Sequence, residues 1–107
     1  MKLIQVRGRS GSGKSMTLRA MAKAKGVEVG NYHGSFTRLK WLYDQGRSNY
    51  LLLDEITTKD AAEVIDWLKH NLGKTNAIVV MSVATSGDFY ITGDDKSLVD
   101  EVSKFVP

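Results

Sequence analysis

The chain has 107 residues, 42% of them hydrophobic and 25% charged, which suits one globular domain with a real core and argues against disorder or a coiled coil. It has no cysteine, which excludes disulfides and thiolate metal sites, and with only two histidines and no His/carboxylate cluster a zinc site is not expected; no apolar run approaches the ~18 residues of a membrane span, no signal peptide is evident, and a cytoplasmic location is expected. The net charge of +3 is split: residues 1–47 hold ten Lys/Arg against Glu28 and Asp44, net +8, and residues 48–107 hold five Lys against ten acids, net −5. A basic half is compatible with nucleic-acid contact, and equally with bound phosphates and solvated surface.

In chain order, Lys2 to Arg7 reads as a first strand. The glycine-rich segment Gly8–Ser15 follows, then a helix from Lys14 to about Lys25, which Gly26 is placed to end in a left-handed conformation. Val27 to Tyr32 is a second strand, weakened by Gly30. Ser35 is placed to cap a second helix that carries Phe36, Leu39, Leu42 and Tyr43 on one face, with Gly46 as its stop. Tyr50 to Leu53 is a wholly apolar third strand, as a parallel strand covered on both faces should be. Thr57 and Asp60 have capping-box-like spacing at the start of a third helix, whose Ala61, Val64, Ile65, Leu68 and Leu72 form one stripe before Gly73 ends it. Ala77 to Val83 is a fourth buried strand and Phe89 to Thr92 a fifth. Only Ala84 to Asp88 separates them, too few residues for a parallel crossover, so the fifth strand should run antiparallel. A last helix, about Asp95 to Phe105, packs Leu98, Val102, Phe105 and Val106. Alternation of this kind predicts an α/β protein with a mainly parallel sheet of about five strands and helices on both faces.

Gly8, Gly13, Lys14 and Ser15 match the pattern G-x-x-x-x-G-K-[ST], between a strand and a helix. Glycines let the backbone wrap an anion with its N–H groups inward, and the helix that starts there adds its positive end. Arg9, Ser10, Gly11 and Ser12 fill the loop, and Met16 follows in the first turn, completing the phosphate-contacting set. Lys14 supplies a charge to the β and γ phosphates, and the Ser15 hydroxyl is a Mg²⁺ ligand. The third strand leads into Asp54-Glu55. Parallel strands end at one edge, so Asp54 should lie beside the phosphate loop, where it holds the Mg²⁺ shell, and Glu55 reaches an attacking water as general base.

Gly8–Ser15 resembles a Walker A motif and Leu51–Glu55 a Walker B motif. Together they are similar to the additional-strand, catalytic-glutamate division of P-loop ATPases, which includes RecA-like motors, helicases and AAA+ proteins. The resemblance covers about residues 1–85. It implies a three-layer P-loop fold, ATP and Mg²⁺ as ligands, and a γ-phosphate-sensing polar residue on strand four, for which Ser82 is the match and Thr85 the second choice. The division needs a strand between the two motifs in the chain, which Val27–Tyr32 supplies, and strand four in the sheet centre. The short fourth-to-fifth connection fits more easily if strand five flanks strand four, as in the kinase-like division. Thr92–Lys96 is faintly similar to a helicase motif, but Ser97 stands where a glutamine is expected, and Asp94–Asp95 are explained as a helix cap.

The leading expectation is an ATPase whose hydrolysis drives or times a conformational change, with DNA, RNA, a homo-oligomer or a protein assembly as the partners left open. A small-molecule P-loop kinase is the first alternative, although no insertion is long enough for an arginine-bearing lid. A nucleotide-gated binding protein with little turnover is the other. A GTPase is disfavoured because no Asn-Lys-x-Asp motif is present. Of five arginines, none is plainly placed to act in cis; Arg38 and Arg47 are the candidates to act on a neighbour. His33 is a site candidate by position, and His70 suits a helix C-terminus. Lys23 and Lys25 are expected to serve the helix dipole. Trp67 lies off its stripe, either for a partner or for strand five, and Trp41 also lies off its helix's main face.

Overall fold

Leu3 and Ile4 are both buried in the first strand yet belong to different cores, so that strand is covered on both faces. The computed structural model describes residues 1–32, 34–45 and 48–107; His33, Gly46 and Arg47 lie outside the described residues, and with them the helix stop assigned to Gly46. The elements are β1 (Lys2–Gly8), α1 (Lys14–Lys25), β2 (Val29–Asn31), α2 (Phe36–Gln45), β3 (Tyr50–Thr57), α3 (Thr58–Leu72), β4 (Ile78–Ala84), β5 (Tyr90–Gly93) and α4 (Lys96–Ser103). The strands form one mixed sheet in the order β2-β3-β4-β1-β5, parallel throughout except for the antiparallel β1–β5 pair.

The antiparallel fifth strand is as expected. Of the two strand orders left open, β5 beside β4 is not the one formed: β4 pairs with β1 on one side and β3 on the other. The chain leaves β4 and steps across the end of β1. Thr85 N–H donates to the Gly8 carbonyl at 2.9 Å and Arg9 N–H to the Gly87 carbonyl at 3.0 Å. It then descends along the far side of β1. Because the direction reverses, stepping over one strand takes only a short loop and no crossover helix.

Two apolar clusters lie on opposite faces of the sheet. One joins Leu39 of α2 and Ala61, Val64 and Leu68 of α3 to Leu51, Leu53 and Met81. The other joins Leu18 and Met21 of α1 and Val102 of α4 to Ile4, Val6, Leu52 and Val80. Helix ends follow the expected chemistry. Gly26 takes a left-handed φ of 68° after α1, the Thr57 hydroxyl accepts from Asp60 N–H before α3, and the Asp95 carboxylate accepts from Leu98 N–H before α4. Asp95 is thus a cap rather than a helical residue, and α4 stops at Ser103, short of Phe105. Strand β2 shrinks to three residues around Gly30. Trp67 packs neither on β5 nor alone: its ring stacks on Phe36 of α2 at 5.2 Å. Trp41 is 47% exposed, with the Arg38 guanidinium 5.0 Å over its ring. His70 Nδ1 meets the Asp66 carbonyl at 2.9 Å on the exposed side of α3. No helix among the described residues is long and apolar enough to cross a membrane.

Lys25 does more than face a helix dipole. Its ammonium lies 2.7 Å from Glu101 of α4 and 4.8 Å over the Tyr50 ring, tying α1, α4 and β3 together. The hydrogen bond with Glu101 raises the Lys25 pKa, and the same bond holds the Glu101 carboxyl below its ordinary value. For Glu101, a depressed folded value means stability present above the unfolded carboxylate pKa and lost as pH falls through the folded one. For Lys25, a raised folded value means stability present below the unfolded amine pKa and lost as pH rises through the folded one. Glu101→Gln should therefore lower stability at neutral pH by up to about 1 kcal/mol, the scale of a half-exposed pair. The gap from the parent should close in acid, as melting curves at the two pH values will show.

Candidate functional site

The parallel strands β1, β3 and β4 deliver their C-terminal ends to one edge of the sheet, and a cleft of 290 Å³ opens there. Its walls are Ser10, Gly11, Gly13, Lys14, Ser15 and Met16 from the glycine loop and α1, Asp54 and Glu55 from β3, and Ser82 and Ala84 from β4. Nine of the residues singled out in the sequence therefore converge on one cavity, and Ala84 is the addition.

Three further loop residues lie outside the walls. Gly8 sits beneath the loop, where an added Cβ would come 2.7 Å from Ser12 Oγ and 3.0 Å from Phe89 Cα, so only glycine fits. Arg9 turns away to Asp88 at 3.0 Å, both side chains largely exposed. Ser12 Oγ is buried, without a hydrogen-bond partner among the described residues. At the start of α1, Gly13 takes φ 102°, a left-handed turn that lets the chain double back into the helix. Lys14 is 8% exposed, with its ammonium donating to the Arg9 carbonyl at 2.7 Å across the loop. Thr17 was not singled out in the sequence. Its buried hydroxyl donates to the Gly13 carbonyl at 2.9 Å, a four-residue helical back-bond that spacing alone could have suggested.

The acidic side differs from expectation in one important respect. β3 does not end at the acids; it continues to Thr57, and Ile56 and Thr57 resume pairing with Val83 and Ala84. Burial of Ile56, 1% exposed, rewards the continuation. Asp54 and Glu55 form the irregularity between the two paired stretches, and Glu55 is the only non-glycine among the described residues with a positive φ, 60°. The bulge is pinned from β4. Glu55 N–H donates to Ser82 Oγ at 2.9 Å and to Asp54 Oδ1 at 3.0 Å, and the Ser82 hydroxyl donates to Asp54 Oδ1. Ser82 is wholly buried, so its hydroxyl lies against the acid pair at the cleft's base. From β2, the Asn31 amide, in the orientation that satisfies it, donates to the Asp54 carbonyl at 3.1 Å. Glu55 is left with its side chain exposed at the cleft.

A left-handed φ costs a side-chain-bearing residue roughly 1–2 kcal/mol that glycine escapes. Glu55→Gly should therefore be more stable than Glu55→Ala by about 1 kcal/mol, the reverse of the usual order inside a strand. Urea unfolding of the two variants measures the sign. Alanine being the more stable would show that Glu55 bears no backbone strain.

The donors present suit a phosphate and a hard cation. The loop offers a glycine backbone and the Lys14 ammonium. Ser15 and Asp54 offer oxygen donors, and Asp54 engages only Oδ1 among the described residues. No group of three or more His, Cys, Asp or Glu able to hold a metal ion occurs among the described residues. Mg²⁺ keeps several waters and takes one or two protein ligands alongside phosphate oxygens, so two donors are enough.

The described arginines stand apart from the cleft. Arg7 donates to Gln5 Oε1 at 2.8 Å, Arg9 pairs with Asp88, Arg38 lies over Trp41, and Arg19 is exposed on α1. His33 and Arg47 lie outside the described residues. Thr85, second choice as a phosphate sensor, uses its hydroxyl to accept from Gly87 N–H at 3.2 Å and does not line the cleft. Compared with protein-family models, with curated proteins and with solved structures, the chain matches none of them.

Proposed function

We propose that this chain is a P-loop ATPase that hydrolyses ATP with Mg²⁺ to drive or time a conformational change, acting with nucleic acid or in an assembly. The observation that carries this reading is the convergence of Lys14, Ser15, Asp54 and Glu55 on one cleft at the C-terminal edge of a parallel sheet. Strand order supports it. The additional-strand division requires strand four in the centre, and β4 lies between β1 and β3, whereas the kinase-like alternative called for β5 beside β4. Helices on both faces suit the three-layer arrangement of that fold.

In this reading the loop N–H groups and the α1 N-terminus bind the phosphates. Lys14 exchanges the Arg9 carbonyl for phosphate oxygens, and Ser15 and Asp54 hold Mg²⁺. Glu55 takes a proton from water as the water oxygen bonds to the γ phosphorus. The bond from that phosphorus to its bridging oxygen breaks, and ADP and phosphate leave. Ser82, placed by the resemblance as the γ-phosphate sensor, touches both acids and is suited to couple them.

No described arginine lines the cleft, so charge developing in transfer lacks the arginine worth ~10³–10⁵ in rate that commonly stabilises it. Slow turnover by the isolated chain, rising on assembly or with a partner, is the corollary; Arg38 and Arg47 are the candidate donors in trans. The experiment is an affinity scan of nucleoside triphosphates, followed by phosphate release across protein concentrations with and without DNA or RNA. ATP binding with Mg²⁺-dependent phosphate release supports the reading. No triphosphate affinity at all would overturn it.

A further inference from the structure

We propose that the chain self-associates head to tail, the groove between α2 and α3 of one copy seating the basic stripe of α1 from the next. Two stacked rings line the groove, Phe36 and Trp67, 5.2 Å apart at an interplanar angle of 5°, and the Tyr32 ring lies 5.1 Å from Phe36. Glu63 and Asp66 of α3 border it, with Asp60 one turn before Glu63. Among the described residues no Lys or Arg comes within ion-pair distance of any of the three, and Asp66 meets only the exposed His70, at 3.5 Å. Burial raises the Tyr32 phenol pKa, and Glu63 and Asp60 add to the shift, so the carboxylate field reaches the rings. Aromatic faces beside unpaired carboxylates attract a cation by ring quadrupole and by charge together.

The complementary surface is on the chain itself. On the opposite face of the sheet, α1 exposes Met16, Arg19 and Lys23 at helical spacing, and among the described residues neither cation has an ion-pair partner. A helical rise of ~1.5 Å per residue sets Arg19 and Lys23 about 6 Å apart along the axis, and Asp60 and Glu63 about 4.5 Å apart. The two rows therefore match within side-chain reach. Direction matches too. Both α1 and α3 follow parallel strands of one sheet, so both run away from the same edge. A second copy stacked face on face, without being turned over, lays its α1 along the groove. The donor helix belongs to the half with net charge +8 and the acceptor helix to the half with −5. Because groove and stripe lie on opposite faces, the contact is heterologous, and each copy retains one free surface of each kind.

The inference rests on surface chemistry, and its test needs no nucleotide, so its outcome is separate from that of the ATPase reading. Sedimentation velocity of the full chain should show a mean sedimentation coefficient that rises with concentration at low salt and falls back to the monomer at high salt. Two variants reverse one surface each: Glu63→Lys with Asp66→Lys, and Arg19→Glu with Lys23→Glu. Each alone should lose the association while keeping the parent's circular dichroism and melting midpoint. Mixed in equal amounts they should regain association, because the intact stripe of one meets the intact groove of the other and the two reversed surfaces are again opposite in charge. A parent monomeric at every concentration in low salt would overturn the proposal, as would association untouched by either reversal or a folded mixture that stays monomeric. If a monomeric parent instead binds a lysine-rich peptide through the groove, its occupant is a foreign basic segment and the second copy is ruled out.

Discussion

Lys14→Ala should abolish detectable ATP hydrolysis and weaken triphosphate binding, while leaving the fold in place. The lysine ammonium reaches across the glycine loop, donating to the Arg9 carbonyl at 2.7 Å. It is 8% exposed and lines the cleft beside Ser15 and Asp54. A charge held there by the loop needs no reorganisation as negative charge moves toward the leaving oxygen. Losing such a preorganised stabiliser costs about 10²–10³-fold in turnover. The structural cost is smaller, because a single hydrogen bond to a loop carbonyl contributes about 1 kcal/mol or somewhat more when charged. The measurement is phosphate release and triphosphate affinity for parent and variant, with a melting curve as the control on folding. A variant that melts like the parent and turns over like the parent would end the P-loop reading, since no other described lysine lines the cleft.

The glycine loop was legible in the sequence because its constraints are local. A strand pattern, fixed glycine spacing and a helix pattern each follow from a few neighbouring residues, and the loop folds where they predict. The third helix was equally legible, since its stripe of Ala61, Val64, Leu68 and Leu72 is buried against the sheet as the period requires. Strand order was not legible in the same way. Whether β5 flanks β4 or passes over β1 depends on backbone bonds from Thr85 to Gly8 and from Arg9 to Gly87. No periodicity encodes such bonds. The bulge at Asp54–Glu55 was hidden for a related reason. Two acids after three leucines look like the end of a strand, and only the burial of Ile56 beyond them, against β4, shows that the strand resumes. Ser82 was singled out through the resemblance, as the match to a polar sensor on strand four, but its link to both acids depends on register between β3 and β4, a property of the folded sheet. Trp67 failed to declare itself because its partner, Phe36, lies on another helix.

Register is also what gives Glu55 its expected effect. Its backbone is turned to φ 60° and held by Ser82 Oγ and Asp54 Oδ1, so the residue is aimed by neighbours rather than by its own side chain. Among the described residues no hydrogen bond or ion pair engages the Glu55 carboxylate at the cleft, so it is available to take a proton. Glutamine has nearly the same shape and keeps the backbone bonds, but its amide is a far poorer base. Glu55→Gln should therefore bind ATP about as well as the parent and release phosphate ~10²-fold or more slowly, the usual scale for loss of a general base. Loss in turnover with affinity retained separates this role from the one assigned to Lys14, where affinity falls as well. Nucleotide affinity, measured beside single-turnover phosphate release, distinguishes the two. If phosphate release from Glu55→Gln matches that of the parent, Glu55 is not the base, and the bulge that aims it needs another explanation.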